Sequence, residues 1–64
     1  MAKRVVWRFL VKGEEVEVES GEKKEDALFE LGKALGIGSP WSKEYTLRLV
    51  RKLKPKLIGK SILI

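Results

Sequence analysis

From Arg4 to Val11 every second residue is apolar, namely Val5, Trp7, Phe9 and Val11. Beyond Gly13, Val16 and Val18 alternate with Glu15, Glu17 and Glu19. A period of two on both sides of a glycine predicts two strands joined as a hairpin. With Gly13 and Glu14 as a two-residue loop, glycine takes the first central position of a type II′ turn, placing Val11 opposite Val16 and Phe9 opposite Val18. On the other face the same register pairs Lys12 with Glu15 and Arg8 with Glu19. After Ser20 and Gly21, Leu28, Leu31 and Leu35 recur at helical spacing with Phe29 beside them, and Glu22, Glu25 and Asp26 form an acidic opening. Lys33 near the end and Gly36 or Gly38 as a left-handed stop predict a helix over Glu22 to Leu35. Its apolar face is expected to cover Trp7, Phe9, Val16 and Val18 of the hairpin.

The segment after Ser39-Pro40 supports two readings. Tyr45, Leu47, Leu49 and Leu53 alternate with Thr46, Arg48 and Lys52, as in a half-buried strand. Ser39-Pro40 is also a helix start, and Trp41, Tyr45, Leu49 and Leu53 recur every fourth residue. Leu47 joins the strand face but falls on the basic side of a helical wheel, so residues 41–53 read as a strand preceded by a short helical turn, with a helix as the alternative. Pro55 ends the segment. Leu57, Ile58, Ile62, Leu63 and Ile64 then read as a last strand interrupted over Gly59 to Ser61. The fold expected is α+β: a single domain over residues 1–64 in a small ββαββ, β-grasp-like arrangement. In it an N-terminal hairpin is packed by one helix, with one or two further C-terminal strands.

Composition narrows the chemistry. Among 64 residues there is no Cys and no His, which removes disulfides, Cys/His zinc sites and imidazole acid–base or nucleophile-activating chemistry. A chain this short buries only roughly 60% of the surface it exposes when unfolded, so its core is expected to be marginal. There is no Asn or Gln, and Lys, Arg and Glu supply nearly all the polar surface, which fits either a hyperthermophile chain or a designed one. Lys3 and Arg4 precede an apolar stretch that Arg8 interrupts, and no apolar run approaches the roughly 20 residues needed to span a bilayer. The expectation is a cytoplasmic protein with no membrane partner.

Three features of the chain invite chemistry. Gly59-Lys60-Ser61 resembles the end of a phosphate-binding loop, but the first glycine of that motif would fall at Lys54, and with three residues after Ser61 the helix that the motif needs is not expected. Glu15, Glu17 and Glu19 share one strand face, yet alternate strand residues stand roughly 7 Å apart, too far to converge on one cation. Nor does a small chain offer a deep pocket to separate the acidities of two carboxyls. No enzyme, cofactor or metal is expected. The stretch Lys12-Gly13-Glu14-Glu15, followed by alternating Val and Glu, resembles the first hairpin of the small archaeal chromatin proteins that bind DNA with an SH3-like barrel. The resemblance stops where the helix begins, so neither that fold nor its DNA-binding residues carry over.

Charge carries the functional expectation. Fourteen Lys and Arg against nine Asp and Glu give a net +5. Residues 1–12 carry +4, residues 13–30 carry −6, and residues 31–64 set eight basic groups against Glu44 for +7. Pairing within the hairpin leaves the excess on Arg48, Arg51, Lys52, Lys54, Lys56 and Lys60, a candidate phosphate-binding patch. Trp41 and Tyr45 just upstream are candidate base-stacking surfaces, although packing is the favoured role for both in so small a core. The expected function is RNA binding, as an archaeal-type ribosomal or ribonucleoprotein accessory protein beside neighbouring ribosomal proteins. A de novo designed fold without natural function is one alternative. A small DNA-binding dimer is another, in which the C-terminal strand serves as the homodimer interface.

Overall fold

The computed structural model of the chain describes residues 4–63. Its elements are β1 (Arg4–Val11), β2 (Glu14–Ser20), α1 (Lys24–Leu35), α2 (Lys43–Lys52) and β3 (Lys56–Leu63). The strands form one antiparallel sheet in the order β2-β1-β3. Both outer strands run opposite to β1 and hence parallel to each other, so the chain must pass from one sheet edge to the other, and the two helices make that crossing. One face of β1 is buried in consequence: Val5, Trp7, Phe9 and Val11 lie in the core while Arg4, Arg8 and Leu10 are exposed. This is an α+β domain of order ββααβ, not ββαββ.

The hairpin forms as its alternation requires, but with a different turn. Lys12 (φ 50°) and Gly13 (φ 80°) both occupy the left-handed region, the pattern of a type I′ turn, whose twist matches that of the flanking strands. The loop is therefore Lys12-Gly13 and not Gly13-Glu14. Phe9 pairs with Val16 and Trp7 with Val18. This differs by two residues from the register expected, and an even displacement leaves every side chain on its own face, so the core composition survives the change. The ion pairs move with it. Glu17 meets Arg8 at 3.9 Å and Glu19 meets Arg4 at 2.7 Å, replacing the expected Arg8–Glu19 and Lys12–Glu15 pairs. Trp7 lies nearly parallel to Phe9 with ring centroids 6.3 Å apart, and its indole N–H donates to the Gly21 carbonyl at 3.1 Å.

The first helix begins at Lys24, two residues after Glu22, and buries Ala27, Leu28 and Leu31 against the sheet. It closes on a left-handed Gly36 (φ 71°), with the Gly36 amide donating to the Lys33 carbonyl and the Ile37 amide to that of Gly32. This is the paired closure of a Schellman motif.

Residues 43–52, read from alternation as a strand, form a helix. Ser42 caps it, accepting the Tyr45 amide at 3.3 Å. The buried stripe is Thr46, Leu47 and Val50, whereas the every-fourth-residue row of Trp41 and Tyr45 faces outward. Leu47 thus belongs to the core side of the helix. The residue that misleads is Thr46, a polar side chain that is fully buried because its hydroxyl accepts the Ser39 amide at 2.9 Å and lies 2.9 and 3.0 Å from the Ser39 and Ser42 carbonyls. The space for it comes from two glycines. A β-carbon on Gly32 would stand 2.5 Å from the Thr46 methyl, and one on Gly38 (φ 80°) would stand 2.4 Å from the Thr46 hydroxyl oxygen.

The last strand runs without interruption over Gly59 to Ser61. Its irregularity is one extra residue, Ile58, between Leu57 opposite Phe9 and Gly59 opposite Arg8. Leu57, Ile58, Ile62 and Leu63 are all exposed; Ile64 lies outside the described residues.

Candidate nucleic-acid interface

On α2 the side opposite the buried stripe carries Tyr45, Arg48 and Lys52 along one helical row, with Arg51 and Glu44 at its flank. All of these are exposed. Trp41 stands immediately before the Ser42 cap, its own amide donating to the Ser39 hydroxyl at 3.3 Å. Its side chain is 92% exposed and that of Tyr45 sits in a residue 50% exposed. Packing is therefore not the role of Trp41, contrary to the expectation for a small core, and two aromatic surfaces lead directly into a row of cations.

The structure divides the six basic residues singled out from the sequence. Arg48, Arg51 and Lys52 share the outer side of α2. Lys54 follows at once in a left-handed turn residue (φ 50°). Lys56 pairs with Leu10 and so takes the helix-free face of the sheet, while Lys60 pairs with Trp7 on the helix side. The Lys60 ammonium lies 4.7 Å from the Trp7 ring centroid, covering the indole as a cation–π lid. Simple alternation would place Lys56 and Lys60 on one face; the extra residue Ile58 between them sets them on opposite faces, which a linear count of charge does not show. None of the six has an ion-pair partner among the described residues.

Other parts of the surface compensate their own charge. Glu17 and Glu19 face Arg8 and Arg4, and Lys33 meets Glu30 at 3.2 Å. Lys43, in the first turn of α2, is engaged by Asp26 in the first turn of α1. That hydrogen bond holds the Asp26 carboxyl below its ordinary range and raises the Lys43 ammonium above its own. The helix-free face of the sheet presents Glu15, Glu17 and Glu19 and, among the described residues, no aromatic ring. Among the described residues, uncompensated positive charge and exposed aromatic surface thus coincide only on α2 and the turn that leads into it. Gly59-Lys60-Ser61 lies within β3, in strand and not in a loop that leads into a helix.

The chain matches no protein-family model, no curated protein and no solved structure.

Proposed function

We propose that the chain binds single-stranded RNA along the outer side of α2. Trp41 and Tyr45 stack on unpaired bases, and Arg48, Arg51 and Lys52 hold the adjoining phosphates, with Lys54 extending the track. The observation that carries this reading is Trp41. Burying a large apolar side chain contributes roughly 1.5 to 3 kcal/mol, and a 64-residue chain with so little core leaves this one in solvent beside its uncompensated cations. Stacking needs bases that are not already paired, which RNA loops and single strands offer and duplex DNA does not. Phosphate contacts position without specifying, so sequence preference is weak and an accessory role in a ribonucleoprotein, ribosomal or otherwise, suits the geometry.

Titration of a labelled single-stranded RNA at a series of salt concentrations tests this. Three neutralised phosphates give a slope of log affinity against log salt of about −2, at roughly −0.7 per phosphate. Reversing Arg48, Arg51 and Lys52 together to Glu is expected to abolish that slope while circular dichroism stays unchanged. Undiminished binding by the reversed protein would sink the proposal, and tighter binding to duplex DNA than to single-stranded RNA would replace it with a DNA-binding one.

A further inference from the structure

The two edges of the sheet are built differently. β2 presents Glu14, Glu15, Glu17 and Glu19, a row of like charges that repels a second copy of itself and guards that edge against pairing. β3 is an eight-residue edge strand with no internal Pro and no acid, and four exposed large apolar residues lie along it. One of them, Ile62, is 55% exposed on the helix side of the sheet.

The sequence of β3 identifies what fits this edge. Leu57-Ile58-Gly59-Lys60-Ser61-Ile62-Leu63 reads nearly the same in both directions about Lys60. An antiparallel strand related by a twofold axis at residue 60 therefore sets Ile58 against Ile62 of the other copy, the small Gly59 against Ser61, and Lys60 against Lys60. In an antiparallel pair, residues directly opposite share a face, so the two isoleucine pairs flank the axis on the side where Ile62 is already exposed. Pairing two lysines at the axis is unfavourable in itself. Here each ammonium is drawn back over its own Trp7, 4.7 Å from the ring centroid, and so leans away from the edge. From the acid-free, apolar edge and the palindromic strand together, we infer that two copies of this chain associate through β3 to form a continuous six-stranded sheet, with Lys60 at the axis and the irregularity at Ile58 keeping the association weak and reversible. Leu57 shares a face with Phe9 and Leu63 with Arg4, so the extra residue at Ile58 leaves these two on opposite faces and confines the apolar contact to the isoleucine pairs. This association is independent of RNA binding by α2.

Sedimentation velocity of the whole chain over a wide concentration range, without nucleic acid, reads it directly: a monomer–dimer equilibrium is expected. Ile62→Lys, at a position more than half exposed, is expected to weaken the dimer at least about tenfold by opposing charge to Ile58 while circular dichroism stays unchanged. The absence of native cysteine allows the register to be read by cross-linking. In Lys60→Cys the two thiols face each other across the axis, at a backbone separation that a disulfide spans, so oxidation gives a covalent dimer. In Ile62→Cys the two thiols are offset by four residues along the strands and stay reduced. A chain that remains monomeric at every concentration overturns the inference, as does a dimer indifferent to Ile62→Lys, or cross-linking of Ile62→Cys in preference to Lys60→Cys. Open-ended growth into higher oligomers would also overturn it, indicating head-to-tail pairing of β3 with the acidic β2 edge.

Discussion

Thr46 shows how much a single hydroxyl decides in a domain of this size. It is 1% exposed, and the Ser39 amide has the Thr46 oxygen as its acceptor. Thr46→Val keeps the shape and removes the bond, so it should cost about 1 to 3 kcal/mol in urea unfolding, the penalty of a buried donor left unpaired. Thr46→Ser, which keeps the hydroxyl, should cost less. Gly32 is the matching position on α1, where Ala would meet the Thr46 and Val50 methyls at 2.5 and 3.0 Å. Better helix propensity offsets part of that collision, and Gly32→Ala is expected to destabilise by about 1 to 2 kcal/mol overall, read as a lowered denaturation midpoint. Trp41 behaves in the opposite way. Trp41→Ala is expected to leave stability within about 0.5 kcal/mol and to weaken single-stranded RNA binding by about 1 to 3 kcal/mol. Equal binding by the alanine variant would remove the stacking half of the proposed mechanism.

At the scale of elements, the hairpin and α1 were legible because their periods are unambiguous and because β-strand faces tolerate a register displaced by two. The turn was less legible: Gly13 takes the second central position, which puts Lys12 in a left-handed conformation that asparagine adopts more readily. Lys12→Asn should therefore stabilise the fold by a few tenths of a kcal/mol to about 1, seen as a raised thermal midpoint. For residues 43–52 the period misled for a physical reason. What decides helix over strand there is the satisfied burial of Thr46 and the close approach at Gly32, both made between elements and invisible in a pattern of apolar positions. The charge run gave the cations of α2 but could not divide Lys56 from Lys60, because period two puts both on one face and only the extra residue at Ile58 parts them. Nor could it show that Trp41 stands out of the core. The first turns of α1 and α2 are joined by Asp26 and Lys43, and the sign of their pH dependence follows from the directions of their shifts. Because Asp26 is lowered, its contribution is complete above the ordinary carboxyl range and is lost as pH falls through its depressed value. Because Lys43 is raised, its contribution is complete below the ordinary ammonium range and is lost as pH rises through its elevated value. Asp26→Asn should therefore flatten the acid limb of a plot of Tm against pH, and an unchanged acid limb would count against the pair.

At the scale of the molecule, the helices bury one face of β1 and the core side of β2 but leave β3 exposed, and the domain measures only 30 × 28 × 14 Å. Charge is sorted with the same economy: the hairpin neutralises much of its own, and the excess sits on α2, the turn that follows and the two lysines of β3. A chain with so little interior gains from any partner that adds covered surface, whether RNA along α2 or a second copy along β3. The fold also carries two unlike indoles. Trp7, 3% exposed and hydrogen-bonded to Gly21, senses the interior; Trp41, 92% exposed, senses water. The intrinsic fluorescence should accordingly resolve into a blue-shifted component shielded from aqueous iodide and a red-shifted component open to it. Denaturant should move the first and leave the second almost unaltered, and single-stranded RNA should quench the second while sparing the first. The native protein thus separates its folding signal from its binding signal without any label.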